Sequence, residues 1–278
     1  MSLRAMLIGK FRTAKPLLFL YRAARNALSA LPWARRMLFP QQVLAARFGP
    51  DDLMYGIGVF ERHLSRLKKA GASSATDILE IGPGRNLATG ILMLCEFQER
   101  ATSSAVKLTY WDVFANVEVS PEIIREVASS LANGIVADRL RASPFDGWKT
   151  LGRVASGSFL PEVRYVVAPM EKFFHGRNPP SCFDLVYSQA AIEHIWKIRR
   201  FWQLIMQSTC PGGWHSHRID LADHGKRHTN YIEMLEWSDF AHWMTQRFIP
   251  GAINRFRYLI ISKLSARVVD ISWTFRGQ

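Results

Sequence analysis

The sequence predicts an α/β fold: a doubly wound, mostly parallel sheet with a helical segment added at the amino terminus. Three observations predict it. Asp77-Ile-Leu-Glu-Ile81 reads as a short buried strand, and Gly82-Pro83-Gly84 then turns the chain sharply into a helix. Val106–Asp112 reads as a second strand, ending in an acid 28 residues beyond Gly84, the length of one helix plus one strand. Two more apolar runs, Val163–Ala168 and Phe183–Ser188, recur with helical patterns between them, the alternation that builds a parallel sheet.

At the amino terminus, residues 1–50 hold nine basic residues and no acid, whereas everything after them contributes only +4 of the net +13. This sets residues 1–50 apart as a basic helical arm or cap and residues 51–278 as the main domain. Within the arm, Arg and Lys mix with Leu, Phe, Met and Ala at helical spacing, and Pro16, Pro32 and Pro40 cut it into about three short helices. Three readings stay open for residues 1–48: a packing cap, an interfacial helix giving peripheral contact with an anionic membrane, or a mitochondrial transit peptide. Charge confined to one segment argues against a uniformly basic nucleic-acid surface, so no specific nucleic acid is expected.

Asp51–Ala70 reads as a further helix, with Phe60, Leu64 and Leu67 on one face and Tyr55-Gly56-Ile57-Gly58 as a flexible bend. Leu87–Gln98 is the helix leaving the glycine turn. Ser120-Pro121-Glu122 is a helix start, with serine as N-cap and proline at the first position. Residues 120–160 then exceed an ordinary crossover. Phe201–Thr209 reads as a helix, Pro211-Gly212-Gly213 as a tight turn, and the run from His215 as a fifth strand with its exit loop. Val268–Trp273 closes the sheet.

The 48% hydrophobic content suffices for a core, and no run of 18 apolar residues predicts a membrane span. Cys95, Cys182 and Cys210 lie far apart with no CxxC spacing, and read as buried thiols of a reducing, cytoplasmic compartment. His217, Asp220, Asp223 and His224 gather near the end of the fifth strand. One strand end alone rarely furnishes a metal site, so no metal is expected; an acid–His relay, a polar substrate clamp and solvated loop residues stay open.

The turn Gly82-x-Gly84-x-Asn86, with Glu80 two residues before it, lacks the third glycine of the dinucleotide fingerprint. It resembles motif I of class I, Rossmann-like S-adenosylmethionine (SAM)-dependent methyltransferases of small-molecule type. Cys182-Phe-Asp-Leu-Val-Tyr-Ser188 resembles that family's fourth-strand motif, and Gln189-Ala-Ala-Ile-Glu193-His194 its following helix start. The resemblance implies a seven-stranded-type sheet with SAM as cofactor. Glu80, Gly82, Pro83, Gly84 and Asn86 would line it, Asp112 would take the ribose hydroxyls, Met170 would lie by the adenine, and Ser188 and Gln189 by the methionine end. In the family an acid commonly follows the third strand; here Ala168 and Pro169 stand there, which departs from the pattern.

Glu193, His194, Asp223 and His224 are the catalytic candidates, since imidazole titrates near neutrality and can take a proton from a hydroxyl or ammonium. Tyr187, Asp220, Arg255 and Arg257 are the substrate-contact candidates, the arginines because a guanidinium pairs bidentately with carboxylate or phosphate. Asn178-Pro179-Pro180-Ser181 has the form of an amino-group methyltransferase motif. It precedes the fourth strand instead of following it, and so reads as a turn. The pairing of Ile219-Asp-Leu-Ala-Asp-His224 with Asn254-Arg-Phe-Arg257 resembles bacterial enzymes of saccharide and secondary-metabolite biosynthesis. The implied activity is O- or N-methylation of a small molecule. Two alternatives stay open: a SAM-consuming cyclase or lyase that releases methylthioadenosine when the SAM amine attacks its own chain, and an RNA- or membrane-associated methyltransferase.

Overall fold

The computed structural model describes residues 15–38, 49–101, 104–114, 117–175, 182–220, 238–249, 252–254 and 268–271. Helices α1 (Lys15–Ser29), α2 (Pro32–Leu38) and α3 (Pro50–Ala70) lead into β1 (Asp77–Ile81), α4 (Ala88–Arg100) and β2 (Lys107–Asp112). Three helices, α5 (Pro121–Ala132), α6 (Gly134–Arg141) and α7 (Trp148–Ala155), make the long crossover to β3 (Glu162–Val167). Then come α8 (Met170–His175), β4 (Phe183–Gln189), a single 3-10 turn (Ile192–His194), α9 (Ile198–Gln207), β5 (Thr209–Arg218), α10 (Asp239–Gln246) and β6 (Val268–Ile271).

The strands form one sheet in the order β3-β2-β1-β4-β5-β6, with every pair parallel. Six strands are described, one fewer than the seven-stranded arrangement the resemblance implies. Strand order reverses between β1 and β4, so a crevice opens outside their carboxyl ends, the place where doubly wound sheets bind ligands.

Local sequence explains the elements on either side of β1. Helix α3 has Pro50 at its start, Asp51 and Asp52 in its first turn and Lys68 and Lys69 in its last, a charge order that suits the helix dipole. Gly71 ends it at φ 88°, donating back to the carbonyls of Leu67 and Lys68. Leu53, Ile57, Phe60, Leu64 and Leu67 face the core together with α4 and the inner residues of β1 and β2. Ser120 caps α5, its hydroxyl accepting from the Ile123 N–H at 3.3 Å.

Three expectations are corrected. Tyr55-Gly56-Ile57-Gly58 is no bend: it lies inside α3. Gly56 is there because α3 and α4 approach so closely that a Cβ would stand 2.8 Å from the Ala88 Cβ. Pro211-Gly212-Gly213 is no turn before β5 but an irregularity within it. Phe183 pairs with Thr209 and Leu185 with Trp214, so β5 carries three surplus residues there. Cys182 and Cys210 are not thiols: the parallel register brings their Cα atoms to 4.9 Å and they form a disulfide, leaving Cys95 as the buried free thiol.

The chain divides into two compact units. One takes in residues 1–41, 193–196 and 221–256, the other residues 42–192, 197–220 and 257–278, which include the whole sheet. In the first unit, Asn26 of α1 joins the end of α10: its Nδ2 donates to the Met244 carbonyl at 2.8 Å and its Oδ1 accepts from the Phe248 N–H at 2.6 Å. No described helix is long and apolar enough to cross a membrane.

Candidate functional site

The glycine turn leaves β1 at the crevice, and its two glycines have different tasks. Both adopt left-handed φ angles, 66° at Gly82 and 64° at Gly84. A Cβ on Gly82 would stand 2.6 Å from the Ala191 Cβ, so this glycine lets the turn pass the exit of β4. A Cβ on Gly84 would meet nothing within 4 Å. Gly84 therefore offers its backbone to open space, whereas Pro83 is buried. A third glycine, not singled out in the sequence, completes the packing: a Cβ on Gly90 would lie 2.4 Å from the Tyr110 hydroxyl and 2.7 Å from Glu80 Oε2.

Around the turn stand the ends of the neighbouring strands. Asp112 ends β2, and its Oδ1 accepts from the Phe114 N–H at 3.1 Å, which fixes the carboxylate at the mouth. At the end of β4, Ala190 adopts φ 51°, unusual for a residue with a side chain, and its N–H donates to the Arg218 carbonyl at 2.8 Å. Gln189 pairs in register with Arg218, and its Oε1 is buried with no hydrogen-bond partner among the described residues. The Trp111 indole donates to the Ala168 carbonyl at 3.0 Å and its ring stacks on Phe173 at 5.4 Å, so the stretch leading to Met170 is pinned; Met170 itself is buried.

Several expected ligand contacts prove to be held inside the protein. Asn86 engages both ends of its amide: Nδ2 donates to the Asp52 carbonyl and Oδ1 accepts from the Ala88 N–H at 3.0 Å, clamping α3 to the start of α4. Glu80 and Tyr187 are buried register partners on one face of the sheet. The Tyr187 hydroxyl donates to Glu80 Oε2 at 2.6 Å. Burial pushes the Glu80 carboxyl up to about 8, against the opposing pull of the Tyr187 hydrogen bond, so the acid is neutral at pH 7. Tyr187, expected on a substrate, is thus a core residue that orients a neutral Glu80.

This polar row extends across the sheet. Tyr110, Glu80, Tyr187 and Ser216 are consecutive register partners. The Tyr110 hydroxyl donates to the Leu87 carbonyl at 2.8 Å, and Ser216 Oγ lies 2.7 Å from Nδ1 of His63 on α3. The His63 ring also tilts against Tyr187 at 5.3 Å. Its pKa falls to about 3, through burial first and then the Arg66, Arg62 and Arg218 charges, so the imidazole is neutral. Sequence reasoning missed His63. Its signal was a histidine between Phe60 and Leu64, on the apolar face of a helix.

On the opposite face, Ser188 is fully buried and bonded to His217 Nδ1 at 2.9 Å. His217 Nε2 lies 3.2 Å from His215 Nδ1, and His215 Nε2 lies 3.0 Å from Thr209 Oγ1. Burial holds both imidazoles below their usual range, His215 at about 4 and His217 well down, with His215 adding to the latter. Because Thr209 donates its hydroxyl to the Ile205 carbonyl at 2.7 Å, it accepts from His215. The direction then propagates: His217 donates to His215 and Ser188 donates to His217. His217 belongs to this internal chain instead of a relay with the acids beyond β5. Among the described residues no group of His, Cys, Asp and Glu is arranged to hold a metal.

Glu193 and His194 fall in the other unit, where residues 252–254 back them. His194 Nδ1 lies 3.3 Å from the Ala252 carbonyl, and the Asn254 N–H donates to the Glu193 carbonyl at 2.6 Å. Asn254 Nδ2 donates to the Ile195 carbonyl at 2.9 Å, so Asn254, which opens the Asn254-Arg-Phe-Arg257 stretch, holds the backbone on both sides of His194. Asp220 lies just beyond β5. Asp223, His224, Arg255 and Arg257, with Asn178–Ser181, lie outside the described residues.

No protein-family model and no curated protein matches the chain. Solved structures do. An O-methyltransferase family protein from Burkholderia thailandensis is 11% identical over 76% of this chain and 48% of its own length, with a TM-score of 0.38. The N-methyltransferase NodS from Bradyrhizobium japonicum, in complex with S-adenosyl-L-homocysteine, is 14% identical over 56% of this chain and 58% of its own, with a TM-score of 0.27. Haemonchus contortus phosphoethanolamine N-methyltransferase 2, in complex with SAM, is 17% identical over 62% of this chain and 33% of its own, with a TM-score of 0.31. Each match thus spans less than two thirds of the other protein's length. At these scores the likenesses carry no functional weight, and the architecture rests on the parallel sheet and its order.

Proposed function

We propose that the chain is a SAM-dependent methyltransferase acting on an oxygen or nitrogen of a small molecule. One observation carries the reading: at the point where the sheet order reverses, the open-faced Gly84 lies in the turn leaving β1, and the neighbouring strand β2 ends in the Asp112 carboxylate. A backbone that a ligand can approach closely, beside an acid that accepts two vicinal hydroxyls, suits a nucleoside whose attached chain bears no phosphate. The buried Gln189 Oε1, without a partner among the described residues, adds an acceptor at the end of β4 for an ammonium donor.

When bound, SAM supplies a methyl group on a positively charged sulfur. Transfer would exchange the sulfur–carbon bond for one to the acceptor heteroatom, and the acceptor's proton would have to be taken by a residue of the chain. The chain's own work is then positional: Asp112 and the Gly84 backbone fix the nucleoside, and alignment of acceptor and methyl lowers the barrier. On sequence order, His194 or His224 takes the proton, with Glu193 and Asp223 as their acidic neighbours, and Asp220, Arg255 and Arg257 hold the acceptor. A cytoplasmic role in saccharide or secondary-metabolite biosynthesis belongs to the same reading.

Calorimetry tests it. Asp112→Ala is expected to weaken SAM binding by about 1–3 kcal/mol through lost charge-assisted hydrogen bonds. Unchanged affinity would remove Asp112 from the site, and an unaltered protein that does not bind SAM would remove the function. Mass spectrometry of the protein incubated with SAM alone separates the chemistries: intact SAM is expected, and release of methylthioadenosine would replace methyl transfer by the cyclase or lyase reaction.

A further inference from the structure

Among the described side chains of α1, the fully buried ones are polar and large apolar ones are exposed. Leu20, Tyr21, Leu28 and Leu31 are 59%, 62%, 46% and 44% exposed, whereas Asn26 and Ser29 are 4% and 1% exposed. Leu20, Ala24, Ala27 and Leu28 follow the spacing of a single helical stripe, and Leu31 comes just past the end of α1. Of the two buried polar residues, Asn26 serves the junction with α10 by bonding the Met244 carbonyl and the Phe248 N–H, and Ser29 is satisfied within α1, its hydroxyl donating to the Arg25 carbonyl at 2.7 Å. The exposed apolar character continues past α1, with Trp33 at 62% and Met37 at 77%. Soluble surfaces scatter such residues singly; a contiguous stripe marks a contact.

Charge decides what it contacts. Residues 15–38 contain Lys15, Arg22, Arg25, Arg35 and Arg36 and no acid. We propose that the outer face of α1, continued by Trp33 and Met37, is a docking surface for an anionic lipid bilayer. Leucines would enter the acyl boundary, Tyr21 and Trp33 would lie at headgroup level, and the acid-free positive charge of the segment would favour anionic headgroups. A second copy of the chain would oppose two acid-free basic segments, and a nucleic acid offers phosphates but nothing to cover the leucines. The inference does not depend on the methyltransferase reading.

The test uses the full chain and vesicle flotation. Vesicles of phosphatidylcholine mixed with phosphatidylglycerol are expected to carry the protein, and phosphatidylcholine alone to carry much less, the difference shrinking with salt. Leu20→Glu with Leu28→Glu is expected to lower partitioning on the order of tenfold or more, since each leucine loses its burial in the bilayer. Leu160→Glu, at an equally exposed leucine elsewhere, serves as the control and is expected to bind as the unaltered chain does. Thermal unfolding of all three proteins shows whether each is folded. Absence of binding to anionic vesicles, or binding that the paired substitutions leave unchanged, overturns the proposal. So does a concentration-dependent dimer in sedimentation that the paired substitutions abolish, which would give the face to a second copy.

Discussion

The buried acid Glu80 gives the sharpest test of the architecture. Glu80→Gln keeps the size of the side chain and an acceptor for the Tyr187 hydroxyl, exchanges the carboxyl O–H for an amide NH2, and removes the ability to ionise. The folded carboxyl is pushed up to about 8 from an ordinary value of 4.5. Folded protein therefore holds a proton that the unfolded chain has lost, and stability falls as pH rises through that window. Keeping the group neutral to pH 7 costs about 3 kcal/mol, and the penalty reaches roughly 5 kcal/mol once the folded group itself ionises. The glutamine variant is expected to match the parent near pH 5 and to exceed it by about 3 kcal/mol at pH 7. Urea unfolding of both proteins from about pH 5 to about pH 9 measures this directly. Parallel stability curves would refute the reasoning, because they would mean that Glu80 ionises normally and is not sealed between Tyr187 and Gly90.

Two further predictions concern the turn and the cysteines. Gly82→Ala combines a left-handed φ with a Cβ 2.6 Å from Ala191 and is expected to cost about 2–5 kcal/mol in denaturant unfolding. Gly84→Ala has a similar φ but open space, so it is expected to cost only about 1–2 kcal/mol of stability while its SAM binding by calorimetry falls more than its own folded fraction explains. Equal effects on stability would mean that the two glycines are not distinguished by their surroundings. Thiol labelling of the chain unfolded without reductant is expected to modify only Cys95, and after reduction Cys182 and Cys210 as well. Labelling of all three without reductant would restore the free thiols that the sequence suggested.

The parts of the fold visible in the sequence are those set by local pattern. The β1 strand and its glycine turn, the acid-ended β2, the Ser120 cap and the crossover helices follow from residues a few positions apart. What the sequence hid depends on partners far along the chain. Gly56 carries the composition of a hinge, but serves a contact with Ala88. The Cys182–Cys210 bridge spans 28 residues and exists only because β4 and β5 lie side by side. His63 and Ser216 are 153 residues apart, so no spacing rule could have joined them. For the site, the positions of Gly84 in the turn after β1 and of Asp112 at the end of β2 were legible. That Asn86, Glu80, Tyr187 and His217 face protein was not, because a polar residue at a strand end reads alike whether a ligand or a neighbour takes its hydrogen bonds.

The three surplus residues of β5 enter beside Phe183, at the end of the sheet away from the crevice, and from Leu185 to Gln189 the pairing with β5 is regular again. Gly212, at φ 81° with nothing within 4 Å of its Cβ position, and the crowded Gly213 let the chain make that excursion. Length changes on that edge are thereby insulated from the alignment of Ser188 and Gln189 with His217 and Arg218. The excursion around Gly212 is accordingly the natural place to graft a peptide tag or a reporter loop: the insertion would lengthen a detour that the strand already makes, and the opposite rim would keep its register.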